Sequence, residues 1–394
     1  MEVLSDIRNH IAFITLNRPK ALNALSLEMI LRLRTLFAQY AADPDIYAVL
    51  IRGAGDKAFC AGGDIRALYH SFKNSGSVHS HCGSLHSEFF EAEYPLDHRL
   101  YSYPKPYLAL MDGITLGGGL GLAQGSTFRI VGERTRMGMP EVAIGFFPDV
   151  GASYFLSRLP GKLGPYLALT GVPIRGADAV YCGLADALLA PDAIATLAED
   201  LSELRWSGDR FADLHRFMQA RAAPAGAPTR PASPARPASP GLPTLPELPA
   251  LRAAIDAHFS QPTVLAVLAS LDSETRIGYA AWASATAAIM RSRSPTMMSV
   301  TLRQLQRGAG MNLADCFRME LGMAAHSFEQ GDFLEGVRAV LIDKDGAPRW
   351  RPSRIEDVTE TMIERFFLER WPAGAHPLAT LDADSTAAVP EYSA

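Results

Sequence analysis

Two glycine-rich turns, each joining a predicted strand to a predicted helix, constrain this 394-residue chain more than any other feature. The first is Ala-Phe-Cys-Ala-Gly-Gly-Asp at residues 58–64, and the second is Asp-Gly-Ile-Thr-Leu-Gly-Gly-Gly-Leu-Gly at residues 112–121. A strand that ends in glycines and opens a helix leaves backbone N–H groups free to face a ligand oxygen. Two such turns together supply the opposed donors of an oxyanion hole, although glycines that only permit tight backbone packing are the alternative. Neither turn has the G-x-G-x-x-G spacing with a ribose-binding acid, which argues against a dinucleotide fold.

The order of the remaining patterns predicts an α/β fold. Short aliphatic runs read as strands at residues 11–16, 47–52, 107–111 and 128–131. Helical spacing of apolar residues covers 27–40, with Ser26 placed as the N-cap, and 65–72. Strands that alternate with helices favour an α/β architecture. After residue 190 helical patterns dominate, so we expect a helical C-terminal lobe, with helices over residues 193–204, 275–290 and 299–307.

A proline repeat divides the chain. From Pro228 to Pro249 a proline stands at every third position, which is the period of a polyproline II helix. A solvated linker is the simplest interpretation, and a docking site for a proline-binding partner is the alternative. The segments that we predict are therefore a core at residues 1–205, a Pro/Ala-rich linker at 221–250, a helical lobe at 251–371 and a disordered tail at 372–394.

Charge and composition exclude several classes of protein. The net charge of −5 gives no broad positive field, so we expect no nucleic-acid partner, and an anionic ligand must be met locally. No run of about 18 apolar residues is present, so no membrane span is expected. The four cysteines show no pairing or zinc-like spacing, the start lacks the pattern of a signal peptide, and Arg far outnumbers Lys. The cysteines and the start of the chain predict a cytoplasmic protein with reduced thiols, and the excess of Arg over Lys indicates a bacterium with a GC-rich genome.

Two acidic residues lie in an otherwise apolar stretch at residues 139–151. Glu141 and Asp149 are eight positions apart there, and a carboxylate in such surroundings is desolvated, which raises its pKa and suits acid–base chemistry. Helix or turn capping is the competing interpretation, because Asp149 precedes a helical run at 151–159. The residues by themselves leave both open.

Two further features give weak signals. His79, His81, Cys82 and His86 cluster in a polar segment, but their spacing matches no standard metal site, so we expect no metal. Cys60 has no His or acid positioned by the sequence to activate it as a nucleophile.

The motifs as a set resemble the enoyl-CoA hydratase/isomerase (crotonase) superfamily. Residues 17–25 (Asn-Arg-Pro-Lys-Ala-Leu-Asn-Ala-Leu), both glycine-rich turns and the Pro140-Glu141 pair stand in its order and spacing, across about residues 4–190. The resemblance implies a spiral of ββα-like turns in which the N–H groups of Gly63 and Gly118 polarise a thioester carbonyl. It also implies that Asp64 and the Lys20-Ala21-Leu22 segment contact the acyl-CoA, the latter near its nucleotide part.

Position 121 separates the members of this superfamily. Hydratases carry a second Glu three residues after the middle glycine of the triplet, where this chain has Gly121. An acid stands instead at Asp149, where hydratases usually have Gly. The Glu141/Asp149 pair is similar to that of the 3-hydroxyisobutyryl-CoA hydrolases and of the dienoyl-CoA isomerases.

The C-terminal segments favour the hydrolases of that pair. Residues 294–303, 332–345 and 348–350 look like the extension that the hydrolases carry and the isomerases lack. Residues 89–94 resemble the hydrolase segment that supplies a substrate-binding glutamate, here Glu93. The proline insert departs from the family pattern between about residues 205 and 250.

The resemblance therefore implies hydrolysis of a short 3-hydroxyacyl-CoA, most readily 3-hydroxyisobutyryl-CoA in valine breakdown. Glu141 would be the nucleophile or the base for water, and Asp149 and Glu93 would orient the substrate hydroxyl or the water. No cofactor is expected beyond the coenzyme A of the substrate, and a homo-oligomer stays open. A hydratase or dienoyl-CoA isomerase of the same fold, or a non-catalytic acyl-CoA-binding scaffold, are the alternatives.

Overall fold

The computed structural model describes residues 1–74, 84–222, 248–330, 332–372 and 374–381. Its strands are β1 (Val3–Arg8), β2 (Ile11–Leu16), β3 (Ala48–Gly53), β4 (Ala58–Cys60), β5 (Tyr107–Met111), β6 (Ile114–Leu116), β7 (Phe128–Val131), β8 (Arg136–Gly138), β9 (Ile174–Arg175) and β10 (Ala187–Leu188). Its α-helices are α1 (Leu27–Ala42), α2 (Ile65–Asn74), α3 (Leu85–Tyr101), α4 (Gly118–Gln124), α5 (Ala152–Phe155), α6 (Leu163–Thr170), α7 (Gly176–Tyr181), α8 (Pro191–Ser202), α9 (Arg210–Gln219), α10 (Leu248–His258), α11 (Val264–Asp272), α12 (Ala280–Arg291), α13 (Pro295–Gly308), α14 (Leu313–Gln330), α15 (Asp332–Val337) and α16 (Glu360–Glu364).

The strands form two sheets that the chain visits in alternation. The larger sheet has the order β1-β2-β3-β5-β7-β10, and the smaller one has the order β4-β6-β8-β9. Strands β3, β5 and β7 of the larger sheet are each followed by a strand of the smaller sheet, namely β4, β6 and β8, before the chain turns into helices. The repeated unit is thus strand, strand, helix, and its parallel pairings stack one turn on the next. This is the spiral of ββα-like turns that the family resemblance implied.

Both faces of the larger sheet are covered, which explains why its central strands are apolar throughout. In β5, Leu108 and Leu110 face helices α8 and α9, whereas Tyr107 and Ala109 face the main core on the other side. Successive side chains of a strand point to opposite faces, so an unbroken apolar run is what a doubly covered strand requires.

Local sequence signals predicted several of these elements. The expected strands at 11–16, 107–111 and 128–131 match β2, β5 and β7, and the strand expected at 47–52 is β3, shifted by one residue. Helix α1 begins after Ser26, whose hydroxyl accepts a hydrogen bond from the Met29 N–H as an N-cap does.

The C-terminal helices share one hydrophobic core with the N-terminal part. Helix α13 packs on α5 and α6, and α14 packs on α3 and α5. The apolar cluster around β3 and β5 continues into these helices through residues such as Met298, Phe317 and Phe328. None of the described helices is both long and apolar enough to cross a membrane.

The ordered N-terminal body extends beyond the boundary expected at residue 205. Helix α9 buries Leu214, Phe217 and Met218 in the second apolar cluster. The Trp206 indole also donates a hydrogen bond to the Asn9 carbonyl, at 3.1 Å. Packing against the outer face of the sheet extends the body to residue 222.

Most of the predicted linker, residues 223–247, lies outside the described residues. Its expected end at residue 250 is wrong, because α10 begins at Leu248 and includes Pro249. Proline is tolerated in the first turn of a helix, where its missing N–H has no partner to lose. Leu248 is buried, and its N–H donates to Asp178 at 2.9 Å, which fixes the start of α10.

The expectation of a disordered tail from residue 372 is wrong for residues 374–381. Leu378 and Leu381 are buried in the main core, and the Arg318 guanidinium donates to the Leu378 carbonyl at 3.1 Å. Burial of two leucines outweighs the polar composition around them. Residues 382–394 lie outside the described residues.

Removal of residues 228–245 is expected to leave folding and catalysis nearly intact, because a solvated linker, as the proline repeat predicts, contributes little to the core. We expect a melting temperature and a kcat close to those of the full chain, measured by thermal unfolding and by thiol release. A deletion extended through Leu248 is the matched control and should destabilise the protein, since it removes a buried leucine. Loss of activity in the shorter deletion would show that the repeat packs against the body.

Candidate active site

The two glycine-rich turns, helix α3 and the segment after β8 enclose one narrow cavity of about 80 Å³. Because β4 and β6 are parallel neighbours, the turns that follow them lie side by side at the same edge of the smaller sheet. The wall is completed by the ring of Phe333, from α15 in the C-terminal part. The cavity is lined by Gly63, Gly118, Glu93, Glu141 and Asp149, so the structure brings these five predicted residues together.

Gly63 and Gly118 present backbone N–H groups that the fold leaves available. Gly63 lies beside Leu25 in an isolated parallel bridge, but the hydrogen bonds there use the Leu25 and Asp64 N–H groups. Gly118 is the first residue of α4, so its N–H has no partner within that helix. In the described part of the chain, neither N–H donates to a backbone or side-chain acceptor. This is what an oxyanion site requires.

Glu141 reaches towards the second glycine-rich turn. A side chain at Gly117 would place its first carbon 2.8 Å from Glu141 Oε1, and Gly117 has a φ of 48°, so only glycine fits there. Glu141 opens a short 3-10 helix, Glu141–Ile144, in which Pro140 takes the N-cap position. Its Oε2 atom is buried without a hydrogen-bond partner among the described residues. The carboxyl group is therefore directed into the cavity.

Asp149 is held by one side chain of α3. The Tyr94 hydroxyl donates to Asp149 Oδ2 at 2.8 Å, and both groups are buried. The capping interpretation is wrong for this residue, because α5 begins at Ala152 with Gly151 in the cap position and no side-chain cap. Its carboxyl group turns instead towards the cavity.

Glu93 lies on α3 directly behind the second turn. A side chain at Gly118 would place its first carbon 2.5 Å from Glu93 Oε1, so the absence of a side chain at Gly118 makes room for this carboxyl group. Glu93 is 2% exposed, and its Oε1 has no hydrogen-bond partner within the described residues.

Sequence reasoning missed two more buried acids beside the cavity. Asp97, one turn after Glu93 on α3, is fully buried, and neither of its oxygens has a partner among the described residues. Glu320 of α14 is also fully buried. The i, i+4 spacing of Glu93 and Asp97 was the available signal for Asp97, since such residues share a helix face. No local signal pointed to Glu320.

Asp97 occupies the space beside Gly121. A side chain at Gly121 would place its first carbon 2.5 Å from Asp97 Oδ2 and 2.7 Å from Val150 Cβ. The position where hydratases carry their second glutamate is thus closed to a side chain here.

Burial raises the pKa values of these acids, and the charges of neighbouring acids raise those of Glu93, Asp97 and Glu141 further. No ion pair is formed, in the part of the chain that the structure describes, by any of the five buried carboxyl groups, namely those of Glu93, Asp97, Glu141, Asp149 and Glu320. Burial, and then the charge of Asp149, raise the pKa of Glu141 well above its usual value, and the same two causes act on Glu93. Burial raises the pKa of Asp149 to about 7, although the Tyr94 hydrogen bond lowers it. Several of these groups therefore hold protons near neutral pH.

The other predicted binding residues lie outside the cavity wall. The Asp64 carboxylate pairs with Arg18 at 3.0 Å and accepts from the Ala67 N–H at 3.2 Å, so it caps α2. This occupation argues against the substrate contact that was expected of it. Lys20 and Ala21 are exposed in a surface turn, Pro19–Ala21, and Leu22, directly after it, is half-buried. These three residues are not among those that line the cavity.

Thiol and metal chemistry find little support in the described residues. Burial raises the pKa of Cys60 to about 12, which keeps this thiol protonated. Across the described ranges no three His, Cys, Asp or Glu side chains group as metal ligands would. His79, His81 and Cys82 lie outside those ranges, whereas His86 contacts Ser71 and Ser84.

Asp149→Asn is expected to raise the melting temperature by a few degrees at pH 8 and by less at pH 5. In the unfolded chain Asp149 ionises near its ordinary pKa of 3.8, but in the folded protein near 7. The folded state therefore binds more protons between these values, and stability falls as the pH rises through that window. Asparagine does not ionise, so the variant does not lose this stability as the pH rises.

Thermal unfolding at both pH values measures the effect, with Asp213→Asn as the control. Asp213 is equally buried, but its pKa is lowered by hydrogen bonds from Ser207, so its replacement should lower the melting temperature. A lower melting temperature for Asp149→Asn at pH 8 would contradict the burial argument.

Comparison with known proteins places the chain among acyl-CoA enzymes. A model of the family described as Enoyl-CoA hydratase/isomerase matches residues 11–367. A Danio rerio protein named 3-hydroxyisobutyryl-CoA hydrolase, mitochondrial, is 39% identical over 367 residues, which cover 93% of this chain and 89% of the relative. An Arabidopsis thaliana protein named 3-hydroxyisobutyryl-CoA hydrolase 1 is 36% identical over 371 residues, covering 93% of this chain and 91% of the relative.

Two solved structures match the fold over nearly the whole chain. A structure described as a carnitinyl-CoA dehydratase from Mycobacterium thermoresistibile has a TM-score of 0.78 at 36% identity, covering 94% of this chain and 97% of its own. One described as an enoyl-CoA hydratase from Rhodobacter sphaeroides 2.4.1 has a TM-score of 0.77 at 33% identity, covering 93% and 97%. These matches confirm the fold predicted from the sequence, including its helical C-terminal region.

Proposed function

This chain belongs to the enoyl-CoA hydratase/isomerase family, and on that premise we propose that it hydrolyses 3-hydroxyisobutyryl-CoA to 3-hydroxyisobutyrate and free coenzyme A. The names of the relatives from Danio rerio and Arabidopsis thaliana support the substrate and the reaction. The match to them covers the helices after residue 250 as well as the N-terminal body, so the likeness includes the Phe333 wall of the cavity.

The observation that carries the proposal is the placement of the second acid in the cavity. Asp149 lies close enough to Glu141 for its charge to raise the pKa of that group, whereas position 121 bears no side chain and its space is filled by Asp97. An addition of water to a double bond that relies on a carboxylate at position 121 lacks that group. Attack on the thioester carbonyl uses Glu141 and the two N–H donors, with Asp149 in the same cavity to orient the water or the substrate hydroxyl group.

In the proposed reaction the thioester carbonyl oxygen accepts hydrogen bonds from the N–H groups of Gly63 and Gly118. These donors are fixed by the backbone, so they stabilise the developing negative charge without reorganisation. Glu141 then either attacks the carbonyl carbon to form an anhydride or removes a proton from the attacking water. In the first route the coenzyme A thiolate leaves as the anhydride forms, and water then hydrolyses the anhydride to release the free acid and restore Glu141. In the second route water adds directly, and the thiolate leaves as the tetrahedral intermediate collapses. The modest basicity of the thiolate makes a strong general acid less necessary than for an amide.

Asp149 and Glu93 are proposed to orient the 3-hydroxyl group of the substrate or the hydrolytic water. Both residues line the cavity, and Asp149 also accepts a hydrogen bond from the Tyr94 hydroxyl. With the pKa of Asp149 near 7, this residue can accept or donate a hydrogen bond at neutral pH. Such a group suits a hydroxyl ligand, which is both donor and acceptor.

A thiol-release assay tests the proposed function. We would compare 3-hydroxyisobutyryl-CoA with isobutyryl-CoA, which has the same carbon skeleton without the hydroxyl group. We expect rapid release of free thiol from the first and at least tenfold slower release from the second, about 1.4 kcal/mol in barrier. Absence of thiol release from 3-hydroxyisobutyryl-CoA would reject the proposal.

A hydratase is the second candidate, because both solved structures with a high TM-score are described as a dehydratase or a hydratase. Gly121 and the surrounding packing argue against it, since a glutamate there would collide with Asp97 and Val150. A non-catalytic binding scaffold fits less well still. Burying several unpaired carboxyl groups costs free energy, and a protein that only holds a thioester gains nothing from them.

The acid limb of kcat/KM is expected to lie above the ordinary glutamate range. Glu141 must lose its proton to act as nucleophile or base, and its pKa is raised by burial and by Asp149. Activity should therefore fall as the pH drops below this raised value. In Asp149→Asn the negative neighbour is gone, so the remaining activity should show its acid limb at lower pH. A limb that stays in place would exclude Asp149 as a cause.

We also propose a cytoplasmic location in a bacterium and a role in valine breakdown. Cys60, Cys182 and Cys316 are free thiols, which fits a reducing compartment. The animal relatives are named mitochondrial. The cytoplasmic location is therefore proposed for the present chain alone. Growth of a deletion strain on valine as carbon source tests the role.

A further inference from the structure

The segment that carries Asp149 has an uncommon backbone conformation. Val150 has a φ of 55°, and Gly151 has a φ of 86°. The left-handed region is uncommon for a β-branched residue such as valine, and it persists only where surrounding contacts enforce it. We call residues 148–153 the Asp149 segment. The contacts that enforce its conformation must come from elsewhere in the fold.

Two buried polar side chains of the C-terminal helices supply these contacts. The Glu320 carboxylate, from α14, accepts from the Gly151 N–H at 2.7 Å and from the Ser153 N–H at 2.8 Å. The Gln304 amide, from α13, donates to the Pro148 carbonyl at 2.6 Å and to the Ser153 hydroxyl at 2.8 Å. Gln304 thus binds both ends of the segment, and Glu320 binds its left-handed turn. Asp149 lies between these contacts.

Because the Glu320 and Gln304 side chains are both buried, their hydrogen-bond partners must lie within the protein. Glu320 and Gln304 are each 0% exposed. A buried carboxylate is costly unless it is paired or hydrogen-bonded, and no ion pair of Glu320 occurs in the described ranges. Both of its hydrogen bonds go to the Asp149 segment. Leucine at position 320 would leave the N–H groups of Gly151 and Ser153 without these acceptors, and leucine at position 304 would leave the Pro148 carbonyl without this donor, so the two polar side chains satisfy the backbone of the segment.

We propose that Glu320 and Gln304 are positioning residues that aim Asp149 into the cavity, so that the C-terminal helices form part of the reacting site. The kinetic consequence rests on the proposed hydrolysis, whereas the structural consequence does not. Without these anchors the segment relaxes from its left-handed turn, and the Asp149 carboxyl group leaves the Tyr94 hydroxyl. Small displacements of an orienting group lower turnover strongly while substrate binding through the rest of the site persists.

Glu320→Gln is the first test, since it keeps the shape but directs an NH₂ group at one of the two N–H donors. We expect kcat for 3-hydroxyisobutyryl-CoA to fall by about tenfold or more with KM changed by less than about threefold. Gln304→Met, which keeps the volume and removes the donor, should act in the same direction and serves if Glu320→Gln does not fold. Asp213→Asn is the control: Asp213 is equally buried and accepts from Ser207 N–H and hydroxyl groups, but it lies on α9, away from the cavity. It should leave kcat within about twofold.

A double-mutant cycle distinguishes positioning from general stability. If Glu320 acts through Asp149, Glu320→Gln should add less than about twofold to the loss in Asp149→Asn. An equal loss with and without Asp149, or a single-variant kcat within about twofold of wild type, overturns the proposal. A crystal structure of Glu320→Gln decides the case independently of activity: a retained 2.8 Å contact between Tyr94 and Asp149 overturns it, and a broken contact supports it. Wild-type protein that releases no thiol would instead reject the proposed function and leave this structural test in place.

Discussion

Glu141→Gln is expected to abolish thioester turnover while binding of the coenzyme A ester survives. Glutamine has nearly the same shape but can neither attack the carbonyl carbon nor accept a proton from water. Glu141 Oε2 has no hydrogen-bond partner among the described residues, so the substitution breaks no recorded side-chain contact of that atom. The loss should therefore appear in kcat and not in the dissociation constant, measured by thiol release and by calorimetry with a nonhydrolysable thioether analogue.

Glu199→Gln provides the matched control for this loss. Glu199 lies exposed on α8, where the same chemical change should leave kcat within about twofold. Retention of more than about a tenth of the wild-type kcat in Glu141→Gln, or about 1.4 kcal/mol in barrier, would exclude Glu141 as the central group.

The second large effect concerns the choice between two reactions on the same scaffold. We expect measurable cleavage of 3-hydroxyisobutyryl-CoA and at most trace hydration of crotonyl-CoA. Gly63 and Gly118 would serve both reactions, so they do not decide between them. Asp149→Gly, which restores the residue that hydratases usually have there, should depress cleavage by roughly 10²-fold or more, the scale of one acid–base or orienting group.

Tyr94→Phe tests the contribution of the hydrogen bond to Asp149 separately from that of the carboxyl group itself. It removes the donor to Asp149 but keeps the carboxyl group, so its loss in kcat should be clearly smaller than that of Asp149→Gly. Crotonyl-CoA hydration is followed by the loss of enoyl absorbance, and cleavage by free thiol. Faster hydration than thiol release in the wild-type protein would end the hydrolase proposal and leave the family and fold standing.

Short-range patterns determined much of this protein before any contact was known. The strands β2, β5 and β7 and the Ser26 cap follow from neighbouring residues, because hydrophobic period and capping are properties of a few consecutive positions. The motifs around Gly63, Gly118 and Glu141 are equally local. The residues alone left other interpretations open, and the resemblance of the motifs to a known family predicted that they meet in one cavity.

Segments of mixed composition were predicted less well. Pro249 was assigned to the linker and the region after residue 372 to a tail, although α10 includes the first and Leu378 anchors part of the second. Composition favoured solvation in both places. Burial of a few apolar side chains against distant parts of the core reversed it.

The roles of the buried polar groups were decided by tertiary structure alone. Whether Asp149 caps a helix or faces the cavity depends on where Tyr94 stands, 55 positions earlier in the chain. Glu320 reads in the sequence as one acid on a helix, yet it binds the Gly151 N–H across 169 positions. Hydrogen bonds between such distant groups leave no periodic trace in a single sequence. The sequence by itself therefore predicted the fold and the groups that line the cavity, and the tertiary packing decided which further side chains hold those groups in place.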